Sequence, residues 1–447
     1  MKVTLIKPNI GRLEHGLYVD SGRMEPLQLG VLAALTPPDV EVVMYDDRME
    51  PIPYDEPTDL AAITVETFTA RRAYEISAEF RKRGVPVILG GIHPTLIPEE
   101  AAGHADSLYL GDAEFLWGQV MDDCRGGRLM PVYRAPVGPA QPGVLTRRDV
   151  FRGKGYLPLA LLQFSRGCSF DCTFCAVSAY FNKTHYVRAV REVIAEIESQ
   201  PRRLLFVVDD NMLCNREAAK ALCRELIPLR IRWVSQASID MTQDRELMDL
   251  MARSGCLGHV IGFESLDFEN LRGSRKAPNL AESRGDYREQ LKVLRDHGLQ
   301  VWAAFTCGYD HDTPQSIART VEFAIENKFC FAAFNILMPY PRTPFYETLR
   351  AEGRLLYDGT WWLHPDYRFN YAAFRPRRTS PEELTEVCFQ ARRRFNSVGS
   401  IVRRAFDWNT LRSPYRMALY LRYNPLFRRE TFKKQGMRFG LHQESVP

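Results

Sequence analysis

Three cysteines stand close together in the segment 165–175, where Cys168, Cys172 and Cys175 follow a C-x3-C-x2-C spacing. A mostly apolar run at 159–164 comes directly before them and predicts a β-strand. Cysteine thiolate is the usual ligand of a [4Fe–4S] cluster, and three thiolates on one short loop can hold three of its irons. The fourth iron would keep an open position for a substrate or cosubstrate, as catalytic metal sites do.

Zinc binding and disulfide bonding are the alternatives for these thiols. A zinc site needs a fourth ligand nearby, and His185 is followed by no paired C-x2-C or H-x3-H pattern. A disulfide framework is disfavoured because 10 cysteines in 447 residues are dilute, and free thiols suit a reducing cytosol. The spacing therefore favours an iron–sulfur cluster. The other cysteines stand singly: Cys124, Cys214, Cys223, Cys256, Cys307, Cys330 and Cys388.

Composition sets the broad class of the protein. A length of 447 residues indicates two or three domains, and 45% hydrophobic with 26% charged residues is ordinary for a globular chain. The net charge of +4 does not by itself suggest nucleic acid. No apolar run reaches the length of a membrane span, and the N-terminus enters a strand without a signal-peptide pattern. We therefore expect a cytoplasmic protein.

The first 130 residues alternate short apolar runs with helical segments. This alternation predicts a doubly wound parallel sheet, which binds ligands beyond the carboxyl ends of its strands. The loops at those ends contain Thr67, Gly90, Gly91 and Gly111. Glycine there would let a bulky planar ligand approach the backbone. The predicted strands are 2–6, 40–45, 60–65, 85–89 and 107–110.

Residues 131–158 are rich in Pro, Gly and Arg and are interpreted as a linker. A second strand–helix series follows over 159–345, and function in β/α barrels lies at the carboxyl ends of the strands. Asp209, Asp210 and Glu264 follow such ends, and Gln236 lies within the third strand. The region 346–447 is predicted to be mainly helical. The six predicted strands are 159–164, 204–208, 231–239, 258–263, 301–306 and 331–337.

The cysteine motif in this context resembles the radical S-adenosylmethionine (SAM) superfamily. The first third is similar to the cobalamin-binding domain fused to many of its members, including the Gly-Gly-Ile-His-Pro-Thr turn at 90–95. Together the two resemblances cover roughly residues 1–345. They imply a Rossmann-like, B12-binding-type domain followed by a partial (β/α)6 barrel, with a [4Fe–4S] cluster, SAM and cobalamin as cofactors.

One departure from the cobalamin pattern leaves two interpretations open. Many B12 domains carry D-x-H-x-x-G, whose histidine ligates cobalt, but the matching stretch 45–50 has neither the His nor the Gly. The missing residues are compatible with two interpretations. Either the domain binds cobalamin without a histidine ligand at that point, or it binds no corrin. His93 is a tempting ligand, but in this turn we expect it to cap and pack.

The resemblance also implies roles for the barrel residues. The tail Asp209-Asp210-Asn211 sits where the family contacts the amino group of SAM, and Glu264 where relatives contact its ribose. Gln236 is a weaker candidate, and Phe174 is expected to shield the cluster and SAM. The alternatives are a helix cap for one of the two aspartates, an ion pair for Glu264 and a satisfied core amide for Gln236. Residues that act on the substrate are not identified.

The chemistry implied by the resemblance is radical chemistry. An electron from the cluster cleaves SAM, and the resulting 5′-deoxyadenosyl radical abstracts hydrogen from an unactivated carbon. The leading prediction is cobalamin-dependent methylation of such a carbon on a small organic or lipid substrate. One alternative is radical rearrangement, cyclisation or C–C coupling, with or without a corrin. Another is a non-catalytic Fe–S and B12 sensor or electron carrier.

The implied partners are a small-molecule or lipid substrate and an electron donor such as flavodoxin or ferredoxin. The chain has no RRM or KH pattern, so we expect no nucleic acid. The segment 401–438 carries ten Lys or Arg against Asp407 and Glu430, with aromatic residues interleaved. Such a segment either packs on the barrel with a solvated basic face or contacts an anionic membrane peripherally.

Overall fold

The computed structural model of the chain describes residues 1–13, 16–17, 23–282 and 286–441. Two six-stranded parallel sheets dominate it, one in each of the two α/β regions predicted from the sequence. The predicted fold class is therefore confirmed.

The N-terminal sheet has the strand order β4-β1-β5-β6-β7-β8, and every neighbouring pair is parallel. Its central strands are buried because helices cover both faces, which is typical of parallel sheets. The strands of this part are β1 Lys2–Lys7, β2 Gly11–Leu13, β3 Gly16–Leu17, β4 Glu41–Asp46, β5 Leu60–Thr64, β6 Val87–Gly90, β7 Ser107–Leu110 and β8 Val132–Arg134. Its helices are α1 Leu27–Leu35, α2 Ala70–Lys82, α3 Ile92–Leu96, α4 Pro98–Ala101 and α5 Trp117–Arg125.

The strand β8 corrects the predicted linker. It pairs with β7 through Leu108 and Val132, so the sheet extends beyond residue 130 into the range assigned to the linker. The run of Pro and Gly that suggested a linker lies mostly after β8.

The second sheet has the order β9-β12-β13-β14-β15-β16, again parallel throughout, and forms the partial barrel. A separate antiparallel pair, β10 and β11, frames the cysteine loop. The strands are β9 Ala160–Leu162, β10 Ser165–Gly167, β11 His185–Val187, β12 Leu204–Val207, β13 Arg232–Ala237, β14 Cys256–Glu264, β15 Gln300–Cys307 and β16 Phe331–Ile336. The helices are α6 Ala176–Phe181, α7 Val190–Glu198, α8 Arg216–Leu226, α9 Arg245–Arg253, α10 Phe268–Gly273, α11 Ala277–Glu282, α12 Arg288–Asp296, α13 Pro314–Glu326 and α14 Pro344–Ala351.

Side-chain caps fix the starts of several barrel helices. Asn215 caps α8 through the backbone N–H of Ala218, and Thr313 forms a capping box with Ser316 at the start of α13. Helix α14 begins at Pro344 because Thr343 caps it and proline is favoured in the first turn.

The C-terminal region packs on both α/β parts. Trp361, Trp362 and Tyr367 are buried against the N-terminal sheet, and Trp362 donates a hydrogen bond to Glu100 at 2.9 Å. The last strand, β17 (Arg438–Phe439), pairs with β2 near the N-terminus. No helix of the described residues is long and apolar enough to cross a membrane. The helices here are α15 Pro381–Phe395, α16 Val398–Ala405, α17 Trp408–Leu411 and α18 Pro414–Lys434.

Candidate active site

The cysteine loop is the connection between β10 and β11. Gly167 ends β10 with a φ of +81°, and a Cβ there would lie 2.2 Å from the carbonyl oxygen of Thr184, so only glycine fits. Within the loop the backbone N–H of Cys175 bonds to the carbonyl of Cys172 at 3.1 Å. This turn joins Cys172 and Cys175, and Cys168 precedes it in the same loop.

The loop thiols are partly or fully buried beside one positive charge. Burial raises the pKa of Cys172 to about 12, with the ammonium of Lys276 acting in the opposite direction. Burial also raises the pKa of Cys175. Since a raised pKa disfavours the free thiolate, the thiolate form depends on bound metal and on Lys276. The spacing of the loop, with each thiolate on a different iron, is what favours a cluster over one zinc ion.

A fourth thiol stands beside the loop. The Sγ atoms of Cys214 and Cys168 are 3.8 Å apart, and the Nδ2 atom of Asn211 is 4.0 Å from Cys168 Sγ. Cys214 ends a short 3-10 turn after β12. Sequence spacing placed it among the isolated cysteines, and only the return of the chain through β12 brings it to the site.

Asp209 fixes the entry to the cysteine loop. Its carboxylate accepts hydrogen bonds from the backbone N–H groups of Phe164 at 2.8 Å and Ser165 at 2.7 Å, and from the Ser165 hydroxyl at 2.5 Å. These bonds end β9 at Leu162, so the predicted strand 159–164 is divided. Burial raises the pKa of Asp209 to about 7.

Asp210 follows the carboxyl end of β12 and is exposed. One of its oxygens accepts the backbone N–H of Gly167 at 2.8 Å. Neither aspartate caps a helix, so that alternative is wrong; Asn211 and Asn215 are the caps. Gln236 donates to the backbone carbonyl of Asp209 at 3.1 Å, so its amide is satisfied locally.

Glu264 lies at the end of β14, after a bulge, with a φ of +62°. Its carboxylate is 2.9 Å from the Lys276 Nζ atom and accepts the Thr306 hydroxyl at 2.8 Å. The predicted alternative, an ion pair for Glu264, is therefore confirmed, and its partner is Lys276. Lys276 was missed in the sequence, since it follows α10 in a charged run that resembles solvated surface.

Lys276 also influences the cysteines. Burial alone would lower the pKa of its ammonium, but attraction to Glu264 and to the thiols of Cys172 and Cys175 outweighs burial and raises it. A fixed positive charge thus lies beside the cysteine loop. Phe174 packs at the other side, with its ring centroid 6.1 Å from that of Tyr309. The roles assigned to Phe174, Asp209, Asp210, Gln236 and Glu264 toward SAM stay predictions.

A cavity of about 400 Å³ lies between the N-terminal sheet and the barrel. Gly90, Gly91 and Gly111 line it from the sheet, and Gln163, Arg166, Tyr180 and Val208 line it from the barrel. Arg166 spans the two parts, with a 2.7 Å contact to Glu114. The volume lies in the range of cofactor pockets, at the strand ends where doubly wound sheets bind ligands. The residues therefore fit part of a large cofactor such as cobalamin.

Two details of the cobalamin prediction change. A Cβ at Gly111 would lie 2.2 Å from the carbonyl oxygen of Ala135, and one at Gly91 would lie 2.9 Å from that of Val65. Backbone packing therefore requires glycine at these two positions whether or not a ligand is bound, and their contact with cobalamin stays a prediction. Thr67 does not line the cavity; it is buried, 3.3 Å from a ring nitrogen of His93.

His93 is fully buried and uses both ring nitrogens, the second at 3.0 Å from Glu100. Its predicted packing role is confirmed. Arg48, in the stretch 45–50 that lacks the motif histidine, forms two side-chain hydrogen bonds to Asp46, at 2.6 and 2.9 Å.

Comparisons with known proteins agree with this geometry. Residues 162–324 match the family model described as the radical SAM superfamily. The chain is 28% identical to a bacteriochlorophyllide d C-12(1)-methyltransferase of Chlorobaculum tepidum over 90% of this chain and 89% of that protein. It is 30% identical to a bacteriochlorophyllide d C-8(2)-methyltransferase of the same organism, over 75% of this chain and 78% of that protein.

A solved structure shares the fold. It is the radical SAM methyltransferase TsrM from Kitasatospora setae with cobalamin and a [4Fe–4S] cluster bound, at 19% identity and a TM-score of 0.62, covering 78% of this chain and 75% of that one. Membership of the family implies a [4Fe–4S] cluster and SAM as cofactors of an enzyme. The chain belongs to the radical SAM superfamily, and it shares with TsrM the fold of a parallel α/β domain followed by the barrel.

Proposed function

We propose that this enzyme binds cobalamin and methylates an unactivated carbon of an apolar small molecule or lipid. The observation that supports this proposal is the cavity that the N-terminal sheet and the barrel line together. Arg166 belongs to β10, two residues before Cys168, and also lines the cavity beside Gly90 and Gly111. A cofactor held in that cavity would therefore adjoin the cysteine loop.

When bound, the cluster would supply the electron for reductive cleavage of SAM, and cobalamin would supply methyl-carrying chemistry. The chain's own residues bind and orient. Cys168, Cys172 and Cys175 would hold three irons, and Asp209 fixes the loop that carries them. Lys276 offsets the negative charge of the thiolates, because an ammonium beside anions in a water-poor site is strongly stabilising.

Two residues are proposed to position SAM. Asp210 is exposed at the barrel mouth, next to the start of the cysteine loop, and its carboxylate suits the amino group of SAM. Glu264 is held by Lys276 and Thr306 at the fourth barrel strand, which would fix its orientation toward the ribose.

The substrate class is proposed from the relatives, which methylate bacteriochlorophyllide d. A tetrapyrrole pigment or another apolar molecule of that kind is the first candidate. The electron donor is proposed to be a flavodoxin or a ferredoxin in the cytoplasm.

The test is anaerobic reconstitution with iron, sulfide and hydroxocobalamin, followed by reaction with SAM carrying a deuterated methyl group. Bacteriochlorophyllide d serves as the first substrate, and a cell extract as the second. We expect a corrin spectrum that persists through gel filtration and a product heavier by one deuterated methyl group.

The alternative functions predict different results in this reconstitution experiment. Loss of the corrin on gel filtration, with 5′-deoxyadenosine still formed, favours corrin-free rearrangement or coupling. Cofactor binding with no consumption of SAM under strong reductant favours the sensor or electron carrier.

Peripheral membrane contact is also proposed, through the C-terminal helices. Val398 and Val402 stand four residues apart on one face of α16, and Phe406 follows at its C-cap with the same spacing; the three side chains are 62%, 53% and 66% exposed. Trp408 is 58% exposed and lies under the guanidinium of Arg412. An exposed apolar face beside arginines suits the interface of an anionic bilayer.

A further inference from the structure

A second cavity, of about 270 Å³, lies at the opposite end of the barrel from the cysteine loop. It is lined by residues near the first positions of the barrel strands, including Leu204, Val234, Gly258, Gln300 and Phe331. Helix α18 covers it with Leu419, Tyr423, Leu426 and Phe427. The cavity is therefore the lower part of the barrel interior, closed by the C-terminal helix.

The walls of this lower cavity are mostly apolar. The rings of Trp302, Phe331 and Phe427 form a triangle whose centroids are 5.3, 5.0 and 4.9 Å apart. His259 also lines it, but burial lowers its pKa to about 3 and the ring is neutral. Three charged side chains of α18 complete the lining: Arg416, Glu430 and Lys434. A molecule bound among the rings would be held by apolar contact.

The two cavities lie on one face of the barrel sheet. Leu204 and Phe206 of β12 line the lower cavity, and Val208, directly after β12, lines the upper one. Alternate residues of an extended segment share a face, so these three side chains lie on one inner surface. Ala304 of β15 and Ala333 of the edge strand β16 follow Trp302 and Phe331 by two residues and are partly exposed. Their small side chains occupy less of the interior than the rings below them.

The polarity of the interior changes from one end to the other. The upper positions on the same inner face are Asp210, Gln236, Glu264 and Thr306, which surround the cysteine loop. The lower positions are aromatic and aliphatic. A ligand that fits the whole interior has a polar or reactive end near the cysteines and an apolar end near α18.

We infer that the lower cavity binds a hydrocarbon portion of the enzyme's own substrate. This deepens the proposed function and rests on it for the identity of the ligand as substrate. A cavity of 150 Å³ holds benzene, so the volume here accommodates about ten to twelve carbon atoms. The group bound is an uncharged alkyl, isoprenoid or ring segment of that size.

The test uses straight-chain alcohols from hexanol to tetradecanol as probes, titrated calorimetrically into the anaerobic holoenzyme. Each added methylene should tighten binding about fourfold until roughly ten to twelve carbons are bound, after which the gain should stop. No binding, or binding that keeps increasing with chain length, would overturn the inference.

Two tryptophan substitutions at different positions of α18 localise the site. Leu426→Trp fills the cavity from α18 and should weaken decanol binding at least tenfold. Leu421→Trp changes a residue of the same helix that is 57% exposed and absent from the lining, and should leave binding unchanged. Equal effects of the two variants would contradict the assignment. If the Leu426→Trp protein does not fold, Phe427→Ala takes its place. Removing this ring enlarges the cavity, so the chain length at which added methylenes stop tightening binding should increase by several carbons.

A competition experiment separates this inference from the proposed function. Decanol should inhibit transfer of the deuterated methyl group to the acceptor molecule in the cell extract. Binding of decanol without inhibition would show that the cavity is not part of the substrate site. Absence of methyl transfer without decanol would count against the proposed function, while the binding results would still report on the cavity.

Discussion

The Sγ atoms of Cys168 and Cys214 lie 3.8 Å apart, so a fourth thiol adjoins the first cysteine of the C-x3-C-x2-C loop. This contact joins two elements, the loop after β10 and the turn after β12. It raises a specific question, because a fourth thiolate on the cluster would remove the open iron that SAM requires.

We expect Cys214 not to be a cluster ligand. Cys214→Ser should keep the same iron and sulfide content as the parent enzyme, because three thiolates suffice for a cluster with one open iron. Cys168→Ser, the matched control, should lose most of the cluster. Iron and sulfide analysis with EPR spectroscopy measures both. A Cys214→Ser protein that retains only a three-iron cluster would assign Cys214 as the fourth ligand.

Lys276 should set the reduction potential of the cluster. Lys276→Gln removes a positive charge beside Cys172 and Cys175, so adding an electron becomes harder. We expect a potential lower by about 60 mV or more, equivalent to a tenfold change for one electron. A redox titration followed by EPR measures it.

The control for Lys276 is its neighbour. Arg275→Gln removes an exposed charge that pairs with Asp171 at 3.0 Å, where solvent screens the interaction. The reduction potential of the cluster in the Arg275→Gln variant should match that of the parent enzyme. Equal shifts for the two variants would indicate a general charge effect and not a specific role of Lys276.

Asp210 should contribute to SAM affinity without holding the cluster. Asp210→Asn keeps an oxygen that can accept the Gly167 N–H, but it loses the negative charge. Since hydrogen bonds to charged groups contribute about 1.5–3 kcal/mol, the dissociation constant for SAM should rise about tenfold or more. Equilibrium binding with iron analysis on the same sample measures this. Unchanged affinity would reduce Asp210 to a loop-positioning residue.

Asp209 should make stability depend on pH. Its folded pKa is about 7 against an unfolded value of about 3.9, so the folded chain binds this proton more tightly. Its contribution is therefore complete below about pH 4 and is lost as pH rises through 7, by up to about 4 kcal/mol. Asp209→Asn should lose this dependence, besides a pH-independent cost of about 1–3 kcal/mol from a lost hydrogen bond. Thermal unfolding of both holoenzymes from pH 5 to 8 measures the difference, and parallel curves would exclude the effect.

The exposed face of α16 should bind anionic membranes. Val402→Asp with Phe406→Asp places charges on that face and should reduce co-sedimentation with vesicles of one-third anionic lipid several-fold. Leu145→Asp, at a residue 42% exposed outside the C-terminal region, is the control. If the parent protein does not sediment at low salt, or forms concentration-dependent dimers through this face instead, the membrane proposal fails.

Much of the fold followed from local pattern. Each predicted strand of the two sheets corresponds to an observed one within a few residues, because buried parallel strands are short apolar runs bounded by turn residues. The exceptions arise from tertiary contacts. The run 159–164 was interrupted by the Asp209 carboxylate, 45 residues away from Phe164 in sequence. The strand β8 was hidden in a segment whose Pro and Gly content suggested a linker.

The site was only partly predictable. The three loop cysteines were evident because all the information lies within eight residues. Lys276 and Cys214 were missed because their importance depends on which strand ends meet in space. Gly91 and Gly111 line the upper cavity as predicted, and packing against Val65 and Ala135 is a second reason for glycine there that the sequence does not reveal. Asp209 was assigned to SAM, and the structure shows its carboxylate engaged with the backbone of the loop.

We expect one iron of the cluster to have no protein ligand and to be open to SAM. The most direct measurement is pulsed EPR of the reduced cluster with SAM labelled with oxygen-17 in its carboxylate. We predict a resolved coupling between the oxygen and the cluster, together with a changed spectrum on SAM addition. A cluster whose spectrum is unaltered by saturating SAM, with no such coupling, would contradict the account.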